Sequence, residues 1–164
     1  AALKKDRVDE AGYNALVTCM TTLNSCGMRL FEFGATACTD VTGFGLSGHA
    51  LEMARGSNRH LSIETHSLPQ LPHAEQLCSD GFTCGGTKSN ASFTNQDIEY
   101  GPNLSEGMIG LINDPQTSGG LLISVPAGKL EGMLEMLVEE KTLSCSVIGK
   151  VGPRETEGPW LTFF

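Results

Sequence analysis

Apolar residues recur at helical spacing in several parts of the chain. Between residues 8 and 30 they follow in steps of three and four, which predicts one amphipathic helix. A second helix is predicted to begin after Gly45 and to end near Asn58, where Gly-Ser-Asn is a typical helix stop. A short helix is predicted around 73–79, and residues 130–138 have the apolar stripe of another amphipathic helix.

Short β-branched or alternating segments predict strands between these helices. They lie at 35–41, 61–65, 120–125, 145–151 and 160–164. Residues 80–107 are rich in glycine and small polar side chains and lack a clear apolar period, so they are predicted to be an irregular functional loop. This order predicts an α+β fold in which a mixed β-sheet is flanked by α-helices.

Composition narrows the class of protein. A length of 164 residues suits one domain, and a hydrophobic content of 40% with 18% charged residues is typical of a folded globular chain. The net charge of −8 disfavours nucleic acid and an anionic membrane as partners. No apolar run approaches the roughly 18 residues of a membrane span, and no secretory signal is recognisable. We therefore expect a cytoplasmic protein.

The six cysteines are scattered through the chain without a Cys-x-x-Cys pair. In a cytoplasmic protein this pattern predicts reduced thiols, mostly buried as small apolar side chains. A zinc site is the alternative, although the spacing of its candidate ligands matches no familiar zinc motif. Those candidates are Cys78, Cys84, His66 and His73.

The most informative motif is Thr-Asp-Val-Thr-Gly-Phe-Gly at 39–45. Asp40 falls near the end of a predicted strand, and the glycines follow where a helix begins. Such strand-to-helix corners are common ligand sites, and a carboxylate there suits a cation. Equally, Thr42 could cap the helix while Asp40 makes a local turn hydrogen bond. His49, on the same helix, is interpreted as a packing residue.

Two further loops have residues suited to ligand binding. The segment Asn-Asp-Pro-Gln-Thr-Ser-Gly-Gly at 113–120 precedes a buried strand, and it is either a tight structural loop or a site of close backbone approach. Residues 84–90, Cys-Gly-Gly-Thr-Lys-Ser-Asn, offer hydroxyls, backbone donors and one cation. That composition fits an anionic ligand and a flexible surface loop equally well.

Taken together, the motifs at 39–49 and 114–120 resemble the signatures of the selenophosphate synthetase (selenide, water dikinase) family. Gly85-Gly86-Thr87-x-x-Asn90 resembles a third family element, and the likeness runs from about residue 8 to the end. The resemblance implies the fold of the C-terminal domain of the aminoimidazole ribonucleotide synthetase superfamily. Residues 1–164 are then expected to be that C-terminal domain, and the family's N-terminal ATP-binding domain is absent from this chain.

The resemblance also implies an activity. Enzymes of this family use ATP, water and selenide to make selenophosphate, AMP and phosphate, with Mg²⁺ as cofactor. The reactive cysteine or selenocysteine and the dimer contacts belong to the N-terminal domain, so no catalytic residue is expected here. Asp40 matches the family's one magnesium ligand from the C-terminal domain, which agrees with the habit of Mg²⁺ of using few carboxylates beside substrate phosphates.

The resemblance makes the three loops candidates for substrate contact. Their candidate residues are Thr42, Gly43, Gly45, Gly85, Gly86, Thr87, Lys88, Asn90, Thr117, Ser118 and Gly119. Ser47 and Ser89 depart from the aliphatic residue and the arginine that the family often has, and Cys84 is interpreted as incidental.

From this resemblance the chain is expected to complete an active site with the N-terminal domain of a homodimeric enzyme and to be inactive alone. The alternatives are a stand-alone binding or regulatory module of the same fold, and a related ATP-dependent synthetase with another substrate.

Overall fold

The computed structural model describes residues 1–164 and confirms the predicted fold class. Helices and strands alternate along most of the chain, and the helices pack on mixed β structure. None of the helices has the length and apolar character that a membrane crossing needs. The α-helices are α1 (Glu10–Thr21), α2 (Gly45–Ser57), α3 (Ala74–Ser79), α4 (Gly85–Thr94), α5 (Glu106–Asn113) and α6 (Leu130–Glu139).

The strands form two sheets, whereas the sequence predicted one. A two-stranded antiparallel sheet pairs β1 with β4, and a four-stranded mixed sheet has the order β3-β6-β2-β5. In the larger sheet β6 runs parallel to both β2 and β3, while β5 is antiparallel to β2. The strands are β1 (Ala37–Asp40), β2 (Arg59–Ile63), β3 (Ile98–Tyr100), β4 (Leu121–Ser124), β5 (Gly149–Pro153) and β6 (Leu161–Phe163).

Two hydrophobic clusters stabilise these layers. The larger lies between the four-stranded sheet and helices α2 and α5, where Leu51, Ile112 and Phe163 are almost completely buried. The smaller joins α6 to the segment 26–35, and Met133, Met136 and Leu30 form its centre. Burial of a side chain of this size contributes about 1.5–3 kcal/mol to folding. The larger cluster therefore fixes α2 and α5, which carry the first two motifs, against the same sheet.

The long helix predicted over 8–30 is wrong in its second half. Helix α1 ends at Thr21, and the hydroxyl of Thr22 donates to the Thr18 carbonyl at 2.7 Å. Asn24 then donates to the carbonyl of Gly119 at 3.2 Å, which takes the chain away from the helix axis. A 3₁₀ helix, Ser25–Met28, follows. The apolar residues of 8–30 are thus not one helical stripe: Cys26 and Leu30 enter the smaller core, whereas Leu23 and Met28 are exposed.

The prediction that 80–107 is irregular is also wrong. This segment contains α4, β3 and the first turn of α5. The buried positions of α4 are Thr87, Asn90 and Thr94, which follow helical spacing but are polar. Apolar periodicity does not reveal a helix whose inward face is polar and is held by hydrogen bonds.

Strand positions were predicted to within a few residues. Strand β2 begins two residues earlier than predicted because Arg59 and His60 already pair with β5, while Thr65 turns to donate its hydroxyl to the Phe164 carbonyl. Strand β5 lies later than the predicted 145–151, since its pairing with β2 starts at Gly149. At Gly149 an added Cβ would overlap the Ser62 carbonyl, so close strand approach requires glycine there.

Candidate functional site

Asp40 occupies the corner between β1 and α2. It is the last residue of β1 and lies opposite Leu121 of β4. The residue is exposed, and its carboxylate has no hydrogen-bond or ion-pair partner within the chain. Helix α2 has no side-chain cap, because its N-cap residue is Phe44 and the Thr42 hydroxyl lies against His49 instead. Neither hydrogen bond of the capping alternative is therefore present, and the carboxylate is free to meet a ligand.

The loop at 114–120 lies directly against this corner. Val41 donates its backbone N–H to the Gly120 carbonyl, and Gln116 donates its own to the Thr42 carbonyl, each at 3.0 Å. An added Cβ at Gly119 would overlap the Val41 carbonyl. The glycine thus permits the close backbone approach that the sequence suggested for this loop.

Helix α4 connects the third motif to the other two. Thr87 Oγ1 donates to Asp114 Oδ1 at 2.6 Å, and Asn90 Nδ2 donates to the carbonyls of Gly43 and Asn113, both at 3.0 Å. Thr87 and Asn90 are buried. Their side chains hold the two loops in place, so the structure gives them a framework role that the sequence did not reveal.

Asn113 is the centre of a buried hydrogen-bond network under the site. Its Oδ1 accepts from the Ser47 hydroxyl at 2.8 Å, and its Nδ2 donates to Tyr100 OH at 2.9 Å and to the Ile109 carbonyl at 2.8 Å. Thr94 Oγ1 lies 3.5 Å from the same Oδ1. The network joins α2, α4, α5 and β3. The network also explains why residue 47 is a serine, because an aliphatic residue there would remove the hydroxyl that donates to Asn113.

Sequence reasoning noticed Asn113 only as part of a loop and did not include it among the site residues. Its role depends on partners that are far apart in the chain, namely Ser47, Thr94 and Tyr100. Burial raises the pKa of Tyr100, and the hydrogen bond from Asn113 partly opposes that rise. An asparagine directly before Asp-Pro was the one available signal.

The remaining loop candidates differ in exposure. Gly85, Lys88 and Thr117 are exposed, and the Lys88 ammonium makes no ion pair within the chain. Gly86 is half-buried, and an added Cβ there would lie 2.6 Å from Pro115 Cγ. The Ser118 carbonyl accepts from Cys19 Sγ at 3.4 Å, so the base of this loop is held by α1.

Ser89 and Gly45, which the sequence analysis had also singled out, have structural roles in their helices. Ser89 hydrogen-bonds within its own helix to the Gly85 carbonyl at 3.3 Å. Gly45 has φ of 67°, and an added Cβ there would lie 2.9 Å from the Asn113 carbonyl carbon. The turn into α2 therefore requires glycine at this position.

His49, in α2, contacts Thr42 in the turn that precedes the helix. The ring is 8% exposed, and its Nε2 lies 3.1 Å from Thr42 Oγ1. The other nitrogen, Nδ1, lies 3.2 Å from Glu52 Oε2. One edge of the ring borders a groove of about 310 Å³ between β1 and α2. The sequence interpretation of His49 as a packing residue accounts for its burial but not for this hydroxyl–imidazole–carboxylate arrangement.

All six cysteines are free. Burial raises the pKa of the Cys78 thiol to about 11, and the nearby carboxylates of Asp114 and Glu75 add to that effect. Cys84 is exposed at the start of α4. The residues of the zinc alternative are not brought together as a metal-binding group.

The site by itself offers one free carboxylate, that of Asp40, which would fit a magnesium ion. No three His, Cys, Asp or Glu side chains of the chain are grouped so that they could hold a metal ion. Asp40, exposed and without an internal partner, fits a single carboxylate ligand, and Mg²⁺ commonly completes its shell with waters and substrate phosphates. The residues present therefore fit part of a shared magnesium site and do not form a complete one.

Comparisons with known proteins show which family this chain is similar to. Residues 2–161 match the family model described as AIR synthase related protein, C-terminal domain. A selenide, water dikinase of Pseudomonas straminea is 39% identical over 152 residues, which are 92% of this chain and 43% of that protein.

Other relatives give the same result. The selenide, water dikinase of Paraburkholderia xenovorans (strain LB400) is 40% identical over 152 residues, again 92% of this chain and 43% of the relative. Selenide, water dikinase 2 of Peptoclostridium acidaminophilum is 32% identical over 154 residues, 93% of this chain and 44% of the relative. The chain thus spans less than half the length of the curated relatives it matches.

Proposed function

Because this chain belongs to the AIR synthase related proteins, as their C-terminal domain, we propose that it is the C-terminal part of an enzyme that makes selenophosphate. The substrates are selenide, ATP and water, and the products besides selenophosphate are AMP and phosphate. The similarity to several selenide, water dikinases supports this choice within the family. The partner is the N-terminal ATP-binding domain of the same protein, within a homodimer.

One observation carries the proposal. Three loops that are distant in sequence meet at one corner, and the carboxylate left free there is that of Asp40. The polar side chains of Thr87, Asn90 and Asn113 form hydrogen bonds inside the protein. These bonds fix the geometry of the corner, and the side chains are not available to bind substrate. A rigid frame around one free carboxylate suits a domain that completes a site formed elsewhere.

In this role each part of the corner has a defined task. Asp40 supplies one ligand to Mg²⁺, which when bound offsets the negative charge of the ATP phosphates. The backbone at Gly43 and Gly45 and the loop residues Thr117 to Gly119 lie beside the ligand and limit the space it can occupy. The net charge of −8 gives this chain no electrostatic attraction of its own for polyphosphate, so nucleotide affinity belongs to the partner domain.

The test measures AMP release by the complete protein and by this chain alone. We expect selenide-dependent formation of AMP by the complete protein, and none by the 164-residue chain, which folds but lacks the nucleotide site and the nucleophile. Omission of selenide is the matched control. ATP consumption that does not respond to selenide would instead indicate a related synthetase with another substrate, and AMP release by this chain alone would contradict the proposed division of roles.

A further inference from the structure

The side chains of Thr42, His49 and Glu52 form a short polar chain that begins two residues after Asp40. Thr42 Oγ1 lies 3.1 Å from His49 Nε2, and Glu52 Oε2 lies 3.2 Å from His49 Nδ1. Thr42 is half-buried and His49 almost fully buried, whereas the Glu52 side chain is 62% exposed. The contact of Glu52 with Nδ1 meets the distance of a hydrogen bond but not its alignment, and Nδ1 has no other partner. The exposed carboxylate of Glu52 has room to align with Nδ1.

The position of Glu52 decides which ring nitrogen carries the proton. A neutral imidazole has one N–H and one bare nitrogen, and an ionised carboxylate accepts hydrogen bonds but cannot donate them. A bare Nδ1 would set its lone pair against the Glu52 oxygen, at an atom that is itself shielded from solvent. The nearest ring, that of Phe44 at 5.6 Å between centroids, offers no better acceptor. In the neutral ring the proton is therefore held on Nδ1.

Nε2 is then the acceptor, and the Thr42 hydroxyl must donate to it. A hydroxyl has one proton and two lone pairs, so a hydroxyl that donates to Nε2 offers only lone pairs to anything else nearby. We propose that His49 and Glu52 set this polarity and make Thr42 an oxygen acceptor for a cation, or for water bound to a cation, beside Asp40. This inference rests on the proposed function. It makes Thr42 part of the cation side of the site rather than a donor to phosphate.

Nuclear magnetic resonance of this chain tests the proton position without any assay of activity. Two-bond ¹H–¹⁵N spectra of ¹⁵N-histidine-labelled protein at slightly alkaline pH distinguish the two neutral tautomers and the charged ring. His60 is an internal reference, because its Nδ1 lies 2.9 Å from the Pro159 carbonyl and must carry a proton to bond it. We expect His49 to show the same Nδ1–H pattern, with the signal assigned by its loss in His49→Gln.

The contribution of the Glu52 carboxylate to the proton position on His49 is tested with a matched control. Glu52→Ala should move the His49 signals measurably toward the Nε2–H pattern, while Glu135→Ala, at an exposed position of α6, should leave them unchanged. A wild-type ring with its proton on Nε2, or a doubly protonated ring, would overturn the proposal. So would an Nδ1–H pattern that Glu52→Ala leaves untouched.

Kinetics of the complete protein test the consequence for ligand binding. Thr42→Val, which keeps the shape but removes the hydroxyl, should raise the half-saturating Mg²⁺ concentration about tenfold, equal to about 1.4 kcal/mol. Thr42→Ser should stay within about threefold of wild type, and the half-saturating ATP concentration at excess Mg²⁺ should change by less than about threefold in both. A higher half-saturating ATP concentration with an unchanged half-saturating Mg²⁺ concentration would show that Thr42 donates to phosphate. That result would overturn the inference. If the complete protein fails to release AMP with selenide, the proposed function falls, while the tautomer result still stands on its own.

Discussion

At the residue scale, Asp40 combines exposure with the absence of any internal partner. We expect Asp40→Asn to change the free energy of unfolding of this chain by less than about 0.5 kcal/mol, since no intramolecular interaction is lost. In the complete protein the same change should lower magnesium-dependent turnover by at least about tenfold, the effect of about 1.4 kcal/mol at the transition state. Thermal melts of the chain and turnover of the complete protein measure the two effects.

A matched substitution separates the local effect from a general loss of charge. Asp6 is exposed and has φ of 53°, a conformation that asparagine tolerates, so Asp6→Asn should leave both stability and turnover unchanged. A destabilised Asp40→Asn domain with near-normal turnover would show that Asp40 is structural and that its magnesium role was assigned wrongly.

Asn113 is the opposite kind of residue, buried and fully engaged. Asn113→Ala leaves the Ser47 and Tyr100 hydroxyls without their partner, and each buried polar group left unpaired costs about 1–3 kcal/mol. We expect a loss of about 3 kcal/mol in chemical denaturation. Asn14→Ala, at an exposed position of α1, is the control and should stay within about 0.5 kcal/mol of wild type. A loss below about 1 kcal/mol for Asn113→Ala would mean that the network contributes little.

At the scale of elements, the start of α2 depends on the conformation of Gly45. Its φ of 67° is in the left-handed region, which costs an L residue roughly 1–2 kcal/mol, and an added Cβ would also crowd the Asn113 carbonyl. Gly45→Ala is therefore expected to lower the free energy of unfolding by about 3 kcal/mol. Gly43→Ala is the natural comparison, because a Cβ there meets nothing within 4 Å and φ is not positive. Equal losses for the two variants in urea melts would contradict this account.

Helix α4 shows how an element can form with little apolar burial. Its inward residues Thr87, Asn90 and Thr94 each make a hydrogen bond to a neighbouring element or to the helix itself. Buried hydrogen bonds contribute less net free energy than apolar burial but impose a specific geometry. The helix is thus suited to hold two loops at fixed positions, which is the function that the site requires of it.

At the scale of the whole molecule, ionisation of buried groups makes stability depend on pH. Burial holds the pKa of Cys78 at about 11 in the folded protein, above the value of 9.0 for an ordinary thiol, and it also raises the pKa of Tyr100. Between pH 9.0 and about 11 the Cys78 thiol loses its proton in the unfolded chain but keeps it in the folded chain. The unfolded state therefore binds fewer protons, and the free energy of unfolding falls as pH rises from about 9 to about 11.

Denaturation at a series of pH values measures this slope. We expect Cys78→Ala to flatten it over the same pH range, because the thiol that ionises on unfolding has been removed. Ser79→Ala, at the neighbouring exposed position, has no ionisable group and should keep the wild-type slope. A slope that is the same in both variants would assign the alkaline loss to other groups such as Tyr100.

The sequence alone determined the fold class and much of the element order. The apolar stripes of α2 and α6 were found because each helix buries an apolar face, and burial imposes a period that is visible in the sequence. The short strands at 37–40 and 121–124 were found from their small, β-branched or apolar residues. The loop motifs around Asp40 and Gly119 were recognised for a similar reason, because turn and glycine chemistry is local. The same motifs carried the resemblance to the family, and with it the candidate site at Asp40.

Only the tertiary structure decided how those motifs work together. The helical nature of α4, the end of α1 at Thr21 and the division into two sheets depend on partners far away in the chain, which local patterns do not encode. The same holds for the site, where Asn113 meets Ser47 across 66 positions and Asn90 meets Gly43 across 47. A hydrogen bond requires both groups at a set distance and angle, and a sequence gives the groups without their distances.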